Sequence, residues 1–303
     1  MNSAVRHHFP RFIIEPDQKW LFNPILKKRY KNLPEERVRL KWVEYLLHEA
    51  GWKKSRIAFE SPVSIRSESK RGRTDLLLYD DDMNPKILIE CKAESVPLNM
   101  AVAEQAARYN ISIGAPVIIL TNGLADYFFE LSAAAPCSVD NPFELNTIPQ
   151  DRHLAYWADR GFCSDKNNEL LNKWLPEVLC SFWDDAAVND VRYLAFKEST
   201  LPFPMEHYYR IFTMGENDKL AITFVGHEHS GSYCAAVLNR NGVNAGILII
   251  NLNKLAQKES DSAILISEGR TKPVPAEIYL VSFFDGDENH VKNLHNQLMK
   301  FFD

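Results

Sequence analysis

Apolar residues recur along this chain at two periods, and the change between them marks out its elements. From Pro34 the spacing is helical: Val38, Trp42, Tyr45 and Leu46 return every three or four residues up to Gly51. Pro34 in the first turn and Glu35 and Glu36 beside the positive dipole end suit a helix start, and Gly51 suits a stop. The period then shortens. Ile57 to Ser64 reads as a weak strand, and Asp75 to Tyr79 and Ile87 to Lys92 as stronger ones. Asp80-Asp81-Asp82-Met83-Asn84-Pro85 between the last two is turn chemistry, which predicts an antiparallel hairpin. Asn99 to Asn110 carries Val102, Ala106 and Tyr109 along one helical side. Pro116 to Thr121 is a buried-strand run ended by Asn122-Gly123, and Tyr127 to Leu131 suits one more strand. This order of helices and strands predicts an α/β domain with a central sheet flanked by helices.

Residues 1–33 lack that regularity and read as an arm in which aromatic and basic residues interleave: Trp20, Phe22, Lys27, Lys28, Arg29 and Tyr30. Between 132 and 165, Ala133-Ala134-Ala135-Pro136, Asn141-Pro142 and Pro149 break the periodicity, which places a domain boundary there and divides the chain into 1–150 and 151–303. The second part reads as strand-rich α+β. A helix is expected over Asn167 to Trp183 and a closing helix over His290 to Phe302. Strands are expected over Leu220 to Val225, Tyr233 to Asn239, Gly246 to Asn251, Ala263 to Ser267 and Ala276 to Phe284.

Composition narrows the function classes. The 303 residues are 46% hydrophobic with a formal charge of -5, ordinary for a globular protein. The charge is uneven: residues 1–115 hold 20 Lys and Arg against 15 Asp and Glu, and the remainder 15 against 25. The basic part suits phosphates and the acidic part a protein partner, with a solvated surface of uneven charge as the alternative. No apolar run follows the N-terminal basic residues, and none is long enough to span a membrane. Five cysteines at wide spacings, without a CxxC pair, argue against a disulfide framework or zinc site and for a reducing cytoplasm. There is no phosphate-binding G-x-x-x-x-G-K-[ST] loop, so the signature of a translocating ATPase is missing, and without a G-x-S-x-G elbow acyl transfer is a poor fit.

The candidate chemistry sits on the hairpin. Glu90 and Lys92, two apart on a strand, share a face, while Cys91 points into the core. Asp75 begins the partner strand, and the short turn lets it approach Glu90. Two carboxylates and a lysine could bind a hard divalent cation and orient a water. The alternative is a salt bridge on an exposed strand. His7 and His8 read as part of a flexible tail, and His227-Glu228-His229 as a polar loop, with metal binding as the alternative for each.

Five short segments carry a family resemblance: LPEERVR at 33–39, GRTDLLLYD at 72–80, ILIECKA at 87–93, EQAARYN at 104–110 and APVIILTNG at 115–123. In this order and spacing, over about residues 20–131, the chain resembles the type I restriction enzyme R-protein N-terminal-like family, a branch of the PD-(D/E)XK nuclease superfamily. The resemblance implies a restriction-endonuclease-like sheet and metal-dependent hydrolysis of DNA, in restriction or genome defence. Asp75 and Glu90 would be Mg²⁺ or Mn²⁺ ligands, with the Cys91 carbonyl assisting, and Lys92 the catalytic lysine. Glu36, or Glu35 in its place, would complete the site from the first helix. Gln105 and Tyr109 would match a Q-x-x-x-Y element bordering it, with plain helix packing as the alternative. Arg71 and Arg73 would contact a phosphate backbone, or else lie on a solvated loop. Cutting two strands would suit a homodimer. The same hairpin also suits a non-catalytic nucleic-acid or protein binding module.

Overall fold

The structure, a computed structural model, describes residues 2–15, 18–60, 62–64, 71–131, 136–143, 152–183, 190–198, 201, 203–227, 229–280 and 291–302, with backbone but not side chains at 62–64, 71, 72 and 136. The protein is mixed α/β and falls into two compact units, Met1–Gln150 and Asp151–Asp303.

The first unit opens with a surprise. The expected arm is a three-stranded antiparallel sheet of β1 (Arg11–Glu15), β2 (Gln18–Asn23) and β3 (Lys28–Lys31). Charged residues interrupt the apolar positions of these strands in sequence, but Leu21 is wholly buried and Phe12 nearly so, pinning one face to the core. The turn from β2 to β3 is shaped by Asn23, whose Oδ1 accepts from Ile25 N and Leu26 N at 2.9 and 3.0 Å. The segment before β1 is anchored too. Asn2 bridges to Ala125, and Ala4 N donates to Asp126 Oδ2 at 2.7 Å. His8 is therefore no tail residue: it is buried against Tyr45 and lies 3.0 Å from Glu49.

Helix α1 (Pro34–His48) follows β3 directly. From Val38 to Leu46 every residue is buried, so the helix is enclosed on all sides although its sequence shows an apolar stripe. The expected weak strand 57–64 is two strands, β4 (Ile57–Phe59) and β5 (Pro62–Ser64), interrupted at Glu60, whose φ is +53°. β5 pairs with β6 (Arg71–Arg73), so Arg71 and Arg73 lie on a strand rather than a loop; the Arg71 side chain lies outside the described residues.

The main sheet also contains β7 (Leu76–Tyr79), β8 (Pro85–Cys91), β9 (Val117–Thr121), β10 (Asp126–Leu131) and β11 (Pro136–Ser138), in the order β11-β10-β9-β8-β7-β4. β7 and β8 form the antiparallel hairpin, whereas β8 and β9 are parallel. A parallel pair needs a crossover, and α2 (Met100–Ile113) supplies it. The Asn99 side chain caps α2 at Ala101 N and Val102 N, and Gly114 ends it at φ +76°. Val102 and Ala106 of α2 pack on Ile118 and Leu120 of β9.

The second unit is dominated by a seven-stranded antiparallel sheet whose neighbours are consecutive in sequence: β12 (Val191–Phe196), β13 (Met205–Thr213), β14 (Asp218–His227), β15 (Gly231–Arg240), β16 (Val243–Asn251), β17 (Ala263–Ser267) and β18 (Arg270–Val274). Among the described residues its helices are α3 (Leu154–Ala158), α4 (Glu169–Trp183), α5 (Leu252–Ala256), α6 (Ala276–Leu280) and α7 (Leu294–Met299). α4 packs on α5, which lies on β15 and β16. The expected strand over 276–284 is instead α6 where described: Ile278 N donates back to Pro275 O, and the fixed φ of Pro275 opens a helical turn that the apolar run alone does not signal. Among the described residues no helix is long and apolar enough to cross a membrane.

Candidate active site

The register of the hairpin builds the site. Leu76 pairs with Ile89, which sets Asp75 level with Glu90 on the sheet face that also carries Lys92. The parallel ladder of β8 and β9 continues one residue further, with Lys92 N donating to Thr121 O at 2.8 Å, so Lys92 leaves the sheet on a fixed backbone. Helix α1 brings the acids of its first turn, Glu35 and Glu36, to the same end, and α2 brings Gln105 and Tyr109. The structure thus gathers Glu36, Asp75, Glu90, Lys92 and Gln105 from four elements.

Lys92 Nζ donates to Glu90 Oε1 at 2.7 Å and to Gln105 Oε1 at 3.3 Å, and lies 4.0 Å from Glu35. Gln105 Nε2 in turn donates to the Tyr109 hydroxyl at 3.4 Å. The pair Glu90–Lys92 is not a surface salt bridge, because Glu90 is 2% exposed. Burial, then the neighbouring Asp75 charge, pushes the Glu90 carboxyl up to about 7, against the pull of Lys92. Burial alone would lower Lys92, but Glu90, Glu35 and Asp75 outweigh it and hold the ammonium charged.

Asp75 is fixed from two sides. Its Oδ2 accepts from Cys91 N at 2.7 Å and its Oδ1 from Arg39 Nη2 at 2.5 Å. Arg39 also donates to Glu36 Oε1 at 2.5 Å and Glu60 Oε1 at 3.3 Å, so one guanidinium spans three carboxylates. Burial raises the Glu36 carboxyl, with Arg39 opposing. Arg39 and Glu60 escaped the reading of the sequence. Arg39 lies one turn after Glu36, a spacing that signals a helix-face ion pair and nothing about Asp75; Glu60 has no local signal at all. Arg73 is exposed and 3.4 Å from Glu60.

A hard divalent cation suits carboxylate oxygens. Glu36 Oε2 and Glu90 Oε2 are buried and accept no hydrogen bond among the described residues, and a cation beside Glu90 would offset the burial that raises it. Among the described residues no group of three or more His, Cys, Asp and Glu is arranged to hold a metal. Glu90 and Glu36 each keep a carboxylate oxygen that could take such an ion, whereas both Asp75 oxygens already accept hydrogen bonds from the protein. The Cys91 thiol is buried and pushed well up, so it stays neutral, and only its carbonyl would serve as a ligand.

No curated protein matches the chain. The resemblance of the five segments nevertheless has a counterpart, which begins at the helix carrying Glu36 and runs past the last strand of the main sheet: residues 34–149 match the family of the type I restriction enzyme R protein N terminus.

Proposed function

We propose that the first unit is a metal-dependent nuclease of PD-(D/E)XK type that hydrolyses DNA phosphodiester bonds, in restriction or a related form of genome defence. The observation that carries this reading is the level register of Asp75 and Glu90, with Lys92 on the same face and its amine held by Glu90 and Gln105. The family match supports the biological setting, since that family is named for a restriction enzyme. When bound, Mg²⁺ or Mn²⁺ supplies Lewis acidity toward a phosphate oxygen and a lowered pKa for a nearby water.

The chain's own groups do the rest. Asp75, locked by Arg39 and the Cys91 amide, presents a carboxylate that does not have to reorient on loading. Lys92 carries a fixed positive charge beside the place where a phosphate would gain negative charge. Gln105 accepts a second hydrogen bond from that ammonium, and Tyr109 in turn accepts from Gln105.

A second reading, a binding module without turnover, is favoured by one observation: both Asp75 oxygens already accept hydrogen bonds from the protein. One experiment separates the two. Wild type, Asp75→Asn and Lys92→Ala are titrated with Mg²⁺ and Mn²⁺ by thermal shift and assayed on plasmid and single-stranded DNA. Metal stabilisation with cleavage, both lost in Asp75→Asn, supports the nuclease. DNA binding without cleavage in either metal selects the binding module, and unchanged cleavage by both variants removes this site from the chemistry.

A further inference from the structure

The sheet β1-β2-β3 lies ahead of the family-matched segment and has two unlike faces. Phe12, Leu21 and Tyr30 line up across the strands on the face turned to the core. The opposite face, by the same register, carries Arg11, Ile13, Glu15, Trp20, Phe22, Arg29 and Lys31, while Lys28, level with Asn23, belongs to the first face at the exposed end of β3. Cations lie over its rings: the Arg11 guanidinium is 5.2 Å from the Phe22 centroid and that of Arg29 is 5.1 Å from Trp20. Trp20 and Phe22 are half-buried and Ile13 is 36% exposed, so apolar surface faces water here without a covering element of the described chain.

The charge on this sheet is one-sided. Between residues 11 and 31 the sequence has Arg11, Lys19, Lys27, Lys28, Arg29 and Lys31 against Glu15 and Asp17. Arg29 is paired with Glu15 at 2.6 Å, but Lys27, Lys28 and Lys31 are exposed and form no ion pair among the described residues. Three unpaired ammonium groups on an edge strand and its turn attract a polyanion, and rings interleaved with cations are what a strand of unpaired bases stacks on.

The sheet also abuts the acidic site. On the core face the Tyr30 ring packs edge-on against Phe59 at 5.5 Å, and its hydroxyl lies 3.4 Å from Glu60 Oε2, whose other oxygen receives Arg39. β3 then runs through Asn32 and Leu33 into Glu35 and Glu36. Glu35, Glu36, Glu60, Asp75 and Glu90 outnumber Arg39 and Lys92 among them, so cations nearby favour the approach of a phosphate backbone. Resting on the nuclease reading for the identity of its ligand, we propose that the outward face of β1-β2-β3, with Lys31 on it and Lys27 and Lys28 at the adjoining edge of β3, binds the phosphates and unpaired bases of single-stranded DNA and holds the strand beside the Asp75–Glu90 site.

The test is fluorescence anisotropy of a labelled oligothymidylate of about 20 nucleotides with the full chain in EDTA, so that binding is read without turnover. The triple variant Lys27→Glu, Lys28→Glu, Lys31→Glu alters only exposed side chains and should weaken binding by at least about tenfold. The salt slope should flatten by about two, from the loss of three phosphate contacts on a single strand. Trp20→Ala should weaken binding about tenfold with the slope unchanged. Wild type that does not bind, or a triple variant that binds like wild type, overturns the proposal; a Trp20→Ala protein that melts and binds like wild type overturns unpaired bases as the ligand. Cleavage is read separately in Mg²⁺. Binding through these lysines with no cleavage keeps the surface and removes the nuclease, whereas cleavage with lysine-independent binding does the reverse.

Discussion

Arg39 Nη2 donates to Asp75 Oδ1 at 2.5 Å across 36 residues of sequence, joining the first helix to the hairpin. Both groups are buried, and the same guanidinium reaches Glu36 and Glu60. Without it three carboxylates would face one another with little solvent between them. Arg39→Met should therefore destabilise the first unit by about 3 kcal/mol or more, as an uncompensated buried charge does. Arg39→Lys should fall between, since an ammonium cannot reproduce the planar fork. Urea denaturation of the two variants checks this; a Met variant as stable as wild type would deny the network any structural role.

Glu90 predicts a pH dependence. Its carboxyl titrates at about 7 in the fold, through burial and then Asp75, against an ordinary value of 4.5. Between those values the folded protein keeps a proton that the unfolded chain has released. Stability contributed by this group therefore falls as pH rises from about 4.5 to 7. Glu90→Gln should lack that descent, and the two proteins should differ by on the order of 3 kcal/mol above it. Denaturant midpoints in metal-free buffer across this range supply the comparison, and Mg²⁺ should restore wild-type stability at neutral pH but leave the Gln variant unchanged.

If the first unit cleaves DNA as proposed, Lys92 and its clasp predict a graded loss of cleavage. Lys92→Gln should slow turnover by about a hundredfold or more, the range for removing a charged catalytic group. Gln105→Leu keeps the lysine but removes its 3.3 Å acceptor, and should cost about tenfold in kcat with KM little changed. Tyr109→Phe, one hydrogen bond further out, should cost less than Gln105→Leu. Single-turnover cleavage rates establish the order; a Tyr109 effect larger than that of Gln105 would show that Tyr109 does not act through Gln105.

In the second unit Gly226 meets the chain around Cys163. A Cβ there would lie 2.1 Å from the Cys163 carbonyl oxygen, while Gly226 N donates to Gly161 O at 2.9 Å. Backbone cannot give way as a side chain does, so Gly226→Ala should destabilise this unit by about 2–3 kcal/mol. A thermal melt unaffected by the substitution would mean that the loop at 161–164 shifts freely.

The legible part of the fold was its strongly patterned part. Val38, Trp42, Tyr45 and Leu46 announced α1, the acidic turn at 80–84 announced the β7–β8 hairpin, and Val102 and Ala106 announced α2. The N-terminal sheet is not legible because its strands mix charged and aromatic residues and lack an apolar run like those of β7, β8 and β9. Helix α6 was misread because Ile278, Tyr279 and Leu280 form an apolar run that suits either element.

By itself the sequence determined which residues stand near one another locally: Glu90 and Lys92 on one strand face, Glu35 and Glu36 in a first turn, and Gln105 and Tyr109 one turn apart. Those relations follow from the fixed periods of strand and helix. Only the tertiary structure decided that Arg39 bridges Asp75, Glu36 and Glu60, that Gln105 holds Lys92, and that a basic, aromatic sheet borders the acids through Tyr30 and Glu60. Such contacts join elements distant in sequence, and a local period carries no information about which elements will pack together or in which register.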